Sequence, residues 1–215
     1  MTGKTVVCVV GTRPEAIKMA PVVIALRDQG FFDVKILATG QHAAMLDQAL
    51  GHFSLTADIN LHIMKEKQSL DHITASVLTG AGKYFDSVCP LAVLVHGDTT
   101  TTFASALAAF YRKIPVGHVE AGLRTFDRYS PFPEEMNRRL TGRIAELHFA
   151  PTTLNRENLA REGITDGVVI TGNTVIDAMK YTVRENYVFH DKTLADIDFA
   201  GGRYVLVTAH RRENL

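Results

Sequence analysis

Three carboxylates recur where a fold would bring them to one edge. Asp98 ends the apolar run 91–95 in LAVLVHGDTTTTFA, Glu120 ends a second run, 114–119, in IPVGHVEAGL, and Glu134 follows the prolines of PFPEEMNRRLTG. Carboxyl groups held in different environments titrate apart, so such a set suits general acid and general base work on one substrate. Each has a plainer reading when taken singly. Asp98 could be a helix N-cap, Glu120 a solvated loop residue, and one acid of the Glu134-Glu135 pair a partner for a helix dipole. The four threonines 99–102 add hydroxyl donors at a helix start, where unpaired N–H groups suit a phosphate or a polyhydroxylated sugar; Thr99 is the candidate contact. In GTRPEAIK, Arg13 lies beside another helix start with Lys18 one turn in. They read equally as a clamp for a diphosphate or as surface charge. No HxxxH and no cysteine cluster is present, so neither metal nor nicotinamide is expected, and GTRPE is not the GxGxxG dinucleotide fingerprint.

These residues need elements that carry them to one place. Short apolar runs at 5–10, 34–38, 91–95, 114–119, 146–150 and 168–171 read as strands. Helical patterns over 15–29, 43–50, 69–85, 152–161 and 175–186, with further helices after Thr99 and from Glu134, alternate with them, and 58–67 reads as a short strand or an irregular loop. Such alternation predicts an α/β fold with a parallel sheet and helices on both faces, whose strand carboxyl ends line the ligand crevice. Asn173 or Thr174 should cap the helix that follows TGN. Residues 1–186 read as one domain and 187–202 as a linker. A strand over 203–208, followed by AHRRENL, reads as the start of a second domain.

Composition narrows the function classes. The 215 residues are 46% hydrophobic with formal net charge +0, which argues against a nucleic acid or a membrane surface as partner. No stretch is apolar for long enough to span a bilayer. Cys8 and Cys89 have neither metal-site nor disulfide-framework spacing. Both are expected to be small buried residues in a cytoplasmic protein.

Taken together, GTRPEAIKMAPV, TGQH, HGDTTTTFA, HVEAGLRT, PFPEEMNRRLTGRIAELHFAPT, TGNTVIDA and TAHRRENL closely resemble the bacterial non-hydrolysing UDP-N-acetylglucosamine 2-epimerases. The resemblance implies two Rossmann-like domains of the glycosyltransferase-B type with substrate in the cleft between them, the present chain covering the first and the opening strand of the second. It implies interconversion of UDP-GlcNAc and UDP-ManNAc by elimination and re-addition of UDP, without a cofactor, in a homodimer. By motif position it makes Asp98, Glu120 and Glu134 the acid and base candidates, with Glu135 a control. His210 becomes a contact to the nucleotide or leaving diphosphate with Arg211 beside it, and Arg13 and Lys18 lie near the leaving group. UDP-GlcNAc also activates many members of that family, which makes Gln41, His42 and Gln68 the allosteric candidates; Ala43 stands where an arginine is common. The alternatives are the hydrolysing relative that releases ManNAc and UDP, an epimerase of a modified UDP-sugar, and a catalytically silent nucleotide-sugar-binding half.

Overall fold

The first strand, β1 (Lys4–Val10), is apolar on both faces, and alternation sends Val6, Cys8 and Val10 one way and Val7 and Val9 the other. A strand of that kind has to be covered twice. The computed structural model, which describes residues 4–40, 43–63, 68–184, 187–199 and 201–207, shows how. In chain order the next elements are α1 (Arg13–Asp28), β2 (Phe32–Ala38), α2 (Ala43–Gly51), β3 (Ile59–Asn60) and α3 (Leu70–Val88). They are followed by β4 (Ala92–His96), α4 (Thr100–Phe110), β5 (Val116–Val119), α5 (Glu134–Ile144), β6 (Leu147–Ala150), α6 (Thr153–Arg161), β7 (Val168–Ile170) and α7 (Thr174–Thr182). The strands form one parallel sheet in the order β3-β2-β1-β4-β5-β6-β7. This is a Rossmann-like sheet, and its strand order reverses between β1 and β4, the position where such sheets open a crevice.

Two large cores sandwich the sheet, and a small third cluster joins Ala121, Ala150 and Leu159. Met19, Val23, Leu46, Leu50 and Ala178 bring α1, α2 and α7 onto one face, and Ile73, Val77, Phe85 and the alanines of α4 bring α3 and α4 onto the other. The small side chains of Ala104, Ala106, Ala108 and Ala109 are fully buried, so α4 lies close against its neighbours. Phe85, at 1% exposure, fills enough of that second core for truncation to alanine to cost about 3–5 kcal/mol.

Three expectations change. Cys8 is buried, and burial pushes its thiol up to about 12, but Cys89 is exposed. It closes α3 in the left-handed conformation (φ 44) ahead of β4 and faces solvent as a helix terminus does. Helix α7 ends at Thr182. The strand expected over 203–208 is not formed at 203–207. Val205, Leu206 and Val207 are 85%, 95% and 80% exposed, and the backbone there finds no ladder partner among the described residues.

The chain divides into a unit of residues 1–182 and a unit of residues 183–215. The second holds the short helix α8 (Lys192–Ala195), capped by Asp191, and an aromatic cluster in which Phe189 lies 5.1 Å from Tyr187 and 5.3 Å from Phe199, ring centre to ring centre. No helix among the described residues is long and apolar enough to cross a membrane.

Candidate active site

Parallel pairing of β4 with β5 sets His96 opposite Val119, so the next residues of both strands, Gly97-Asp98 and Glu120, emerge side by side at the carboxyl edge. The Gly97 N–H donates to the Val119 carbonyl at 2.9 Å and holds the two turns together. Glu120 itself has φ 63, a left-handed backbone that side chains rarely adopt and that persists only where the surroundings enforce it. Its carboxylate is 9% exposed rather than solvated. Lys18 Nζ, from α1, donates to Oε1 at 2.6 Å, and Asn173 Nδ2, from the turn after β7, donates to the same oxygen at 2.9 Å. Oε2 faces His96 Nε2 at 3.7 Å.

Asp98 does not cap α4. Thr99 does, accepting the Thr102 N–H at 3.1 Å, and this leaves the Asp98 carboxyl to face α5. Arg138 Nη2 meets Asp98 Oδ2 at 3.1 Å, and Asn137 Nδ2 donates to the Asp98 carbonyl at 3.0 Å. Burial is the chief cause that pushes the Asp98 carboxyl up to about 6; Arg138 opposes the rise, while the negative charges of Glu134, Glu120 and Glu15 add to it. Glu134, the half-buried first residue of α5, thus acts electrostatically on Asp98. Glu135 is fully buried and accepts the Thr125 and Phe126 N–H groups at 3.0 and 3.2 Å, so it holds the loop before α5. Behind that loop Arg124, with no exposed side-chain surface, grips Glu162 with two hydrogen bonds of 2.9 and 2.8 Å.

The two helix starts at the edge are tied by one residue, Glu15. Its Oε2 accepts the N–H groups of Gly11 at 2.8 Å and Thr12 at 2.6 Å, and its Oε1 accepts the Thr99 hydroxyl at 2.6 Å. The Thr99 hydroxyl therefore serves the scaffold as donor and as cap. Three histidines lie behind the edge. Burial pushes His96 down to about 4 and His118 down to about 3, and lowers His148 too, so all three are neutral at pH 7. His118 Nε2 lies 2.7 Å from the Gly97 carbonyl, which can only accept, so that nitrogen carries the proton.

A family model described as UDP-N-acetylglucosamine 2-epimerase matches residues 24–215. The chain belongs to the UDP-N-acetylglucosamine 2-epimerase family. The UDP-N-acetylglucosamine 2-epimerase of Bacillus subtilis is 52% identical over 212 residues, which are 98% of this chain and 54% of that protein. The crystal structure of the Neisseria meningitidis UDP-GlcNAc 2-epimerase bound to UDP-GlcNAc superposes with a TM-score of 0.81 at 54% identity, over 83% of this chain and 48% of the other. S. aureus MnaA with UDP gives 0.88 at 47% identity, over 99% and 55%. The chain thus spans about half the length of these proteins.

Of the positions that the epimerase resemblance singles out, Asp98, Glu120, Glu134 and Lys18 gather at one sheet edge, together with Thr99, the candidate from the helix start. Arg13 opens α1 there, exposed and without a partner among the described residues. Gln68 is half-buried and donates its side-chain amide to the Ile63 carbonyl. Gln41, His42, His210 and Arg211 lie outside the described residues. Four site residues carried no assignment from sequence. Glu15 has a signal, the T-x-x-E capping box of Thr12 to Glu15, and Asn173 was visible only as a cap, which it also is, accepting the Val175 N–H at 3.0 Å. Arg138 and His96 had none. An apolar groove of about 570 Å³ between α1 and α7 is lined by Leu94, Val119, Phe149 and Tyr181 and by none of the candidate acids. Among the described residues no group of three or more His, Cys, Asp or Glu is arranged to hold a metal.

Proposed function

We propose that this chain carries the proton-transferring part of a UDP-GlcNAc 2-epimerase site that interconverts UDP-GlcNAc and UDP-ManNAc. One observation carries the reading: two carboxylates, Asp98 and Glu120, side by side at the ends of β4 and β5 but differently partnered, one by Arg138 among other acids and one by Lys18 and Asn173. The sugar C2 proton has no neighbouring carbonyl to acidify it, so its removal alone would leave an inaccessible carbanion. Coupling solves this. As a carboxylate takes the C2 proton, the C2–H electron pair becomes the C1=C2 bond of 2-acetamidoglucal, and the C1–O pair leaves with UDP. Return of a proton to the other face of C2, with UDP re-adding at C1, gives the epimer. Glu120 fits the base, since Lys18 steadies its carboxylate, and Asp98, pushed up to about 6, fits a group that holds and releases a proton near neutrality. The Glu134 charge adds to the rise that burial causes at Asp98, and Arg13, exposed and without a partner among the described residues, can meet the diphosphate.

The same reading extends to what the epimerase resemblance implies elsewhere. Residues 1–186 form the first domain and 187–202 a linker to a second Rossmann-like domain that opens at 203–215, whose His210 and Arg211 contact the nucleotide. The enzyme works as a cytoplasmic homodimer and takes UDP-GlcNAc as activator through Gln41, His42 and Gln68. The test is proton NMR of the chain with UDP-GlcNAc in D₂O. Deuterium at C2 with UDP-ManNAc accumulating is expected. Free ManNAc and UDP would assign the hydrolysing reaction instead, and neither exchange nor product would overturn the reading for this chain.

A further inference from the structure

His96 is a buried polar side chain whose nearest opposite charge among the described residues is Glu120. It is 2% exposed at the end of β4, and neither ring nitrogen has a hydrogen-bond partner among the described residues. A buried polar atom left unpaired costs about 1–3 kcal/mol, so a group in this position calls for a reason. Its Nε2 lies 3.7 Å from Glu120 Oε2, a separation of the kind that tightens when a site fills. The other carboxylate oxygen is already taken by Lys18 and Asn173, so Oε2 is the oxygen left for chemistry and His96 is the donor beside it.

The imidazole must be neutral to play this part. Burial pushes it down to about 4; the Glu120 charge opposes that shift, the Lys18 charge adds to it, and the residue's own backbone opposes it weakly. A neutral ring has one N–H, and a carboxylate can only accept, so a hydrogen bond from His96 to Oε2 requires the proton on Nε2. The backbone of Glu120, at φ 63, sets the direction of the side chain, and the pair on Oε1 anchors one end of the carboxylate. What remains is rotation about the last bond, which a fixed donor at Oε2 would stop.

We propose that His96 is a positioning residue, whose Nε2–H holds Glu120 Oε2 in the orientation from which that carboxylate meets the sugar. The function assigned to the contact rests on the epimerase reading above; the contact itself does not, and the two are tested apart. In long-range ¹⁵N–¹H spectra of the 215-residue chain at pH 7, His96 is expected as a neutral ring protonated at Nε2, with that proton moving upfield in Glu120→Leu. A proton on Nδ1, an imidazolium, or an Nε2–H signal indifferent to Glu120→Leu overturns the proposal. Rescue provides a second reading. The Glu120 carboxyl ¹³C signal should move in His96→Leu and return in His96→Gln, whose amide N–H reaches the same place, but not in the shorter His96→Asn. A signal unmoved in a folded His96→Leu, or no return with glutamine, also overturns it; if His96→Leu does not fold, the spectra of the native chain and Glu120→Leu decide. Where the native chain turns over UDP-GlcNAc, His96→Leu should lower kcat on the order of 10- to 100-fold with KM nearly unchanged, glutamine restoring most of it. An unchanged kcat removes the positioning role, whereas a native chain without turnover counts against the epimerase reading alone.

Discussion

Asp98 is asked to keep a charge where charge is unwelcome. Its folded-state carboxyl is pushed from 3.8 to about 6, chiefly by burial, so the native protein binds that proton more tightly than the unfolded chain does. Stability from this group is therefore full below pH 3.8 and is lost as pH rises towards about 6. Asp98→Asn should abolish turnover and yet stabilise the protein above pH 6 by about 1–2 kcal/mol, less than the full shift implies because the side chain keeps some access to water and Arg138 loses a partner. Urea titrations at pH 4 and pH 8 check this, the gain appearing only at the higher pH. A variant destabilised at pH 8 would mean that the Arg138 ion pair outweighs the burial penalty. The sequence showed Asp98 as an acid after a strand and left open whether it was a cap. What decides is Thr99, one residue on, whose hydroxyl caps α4 and frees the carboxyl.

At the scale of elements, the strand ends were legible because a buried parallel strand is an uninterrupted apolar run and its turn is marked by glycine and acid. The partners of the acids were not legible, since Lys18 and Asn173 reach Glu120 across 102 and 53 residues and only the sheet order makes them neighbours. The ties between elements fall between these cases. Glu15 belongs to a capping box that sequence spacing can reveal, but its second oxygen, which accepts the Thr99 hydroxyl of α4, cannot be read from spacing. Glu15→Ala removes an acceptor shared by two helix starts and leaves the buried Gly11 N–H unpaired. The expected cost is on the order of 3 kcal/mol. Calorimetry should show a Tm lower by roughly 6–12 °C. A Tm within 2 °C of the native value would show that water or Thr12 replaces the carboxylate without loss.

For the whole molecule, stability should follow the distribution of the cores. Every buried residue of the three hydrophobic clusters lies between Val6 and Ala178, inside the unit that ends at Thr182. The described part of the second unit has only a four-residue helix and an aromatic cluster, with Val205, Leu206 and Val207 in water. The sequence pattern around 203–208 predicts a strand because β-branched and apolar residues cluster there, yet a pattern states only what a segment could bury. Burial needs a neighbour, and among the described residues there is none for it. A chain of residues 1–182 should accordingly fold alone, unfold in one cooperative step and keep its Tm within about 3 °C of the 215-residue chain, since it loses no core residue. Circular dichroism melts of the two chains make the comparison. A shorter chain that melts much earlier or without cooperativity would mean that residues 183–215 contribute to the sheet unit in a way its cores do not reveal.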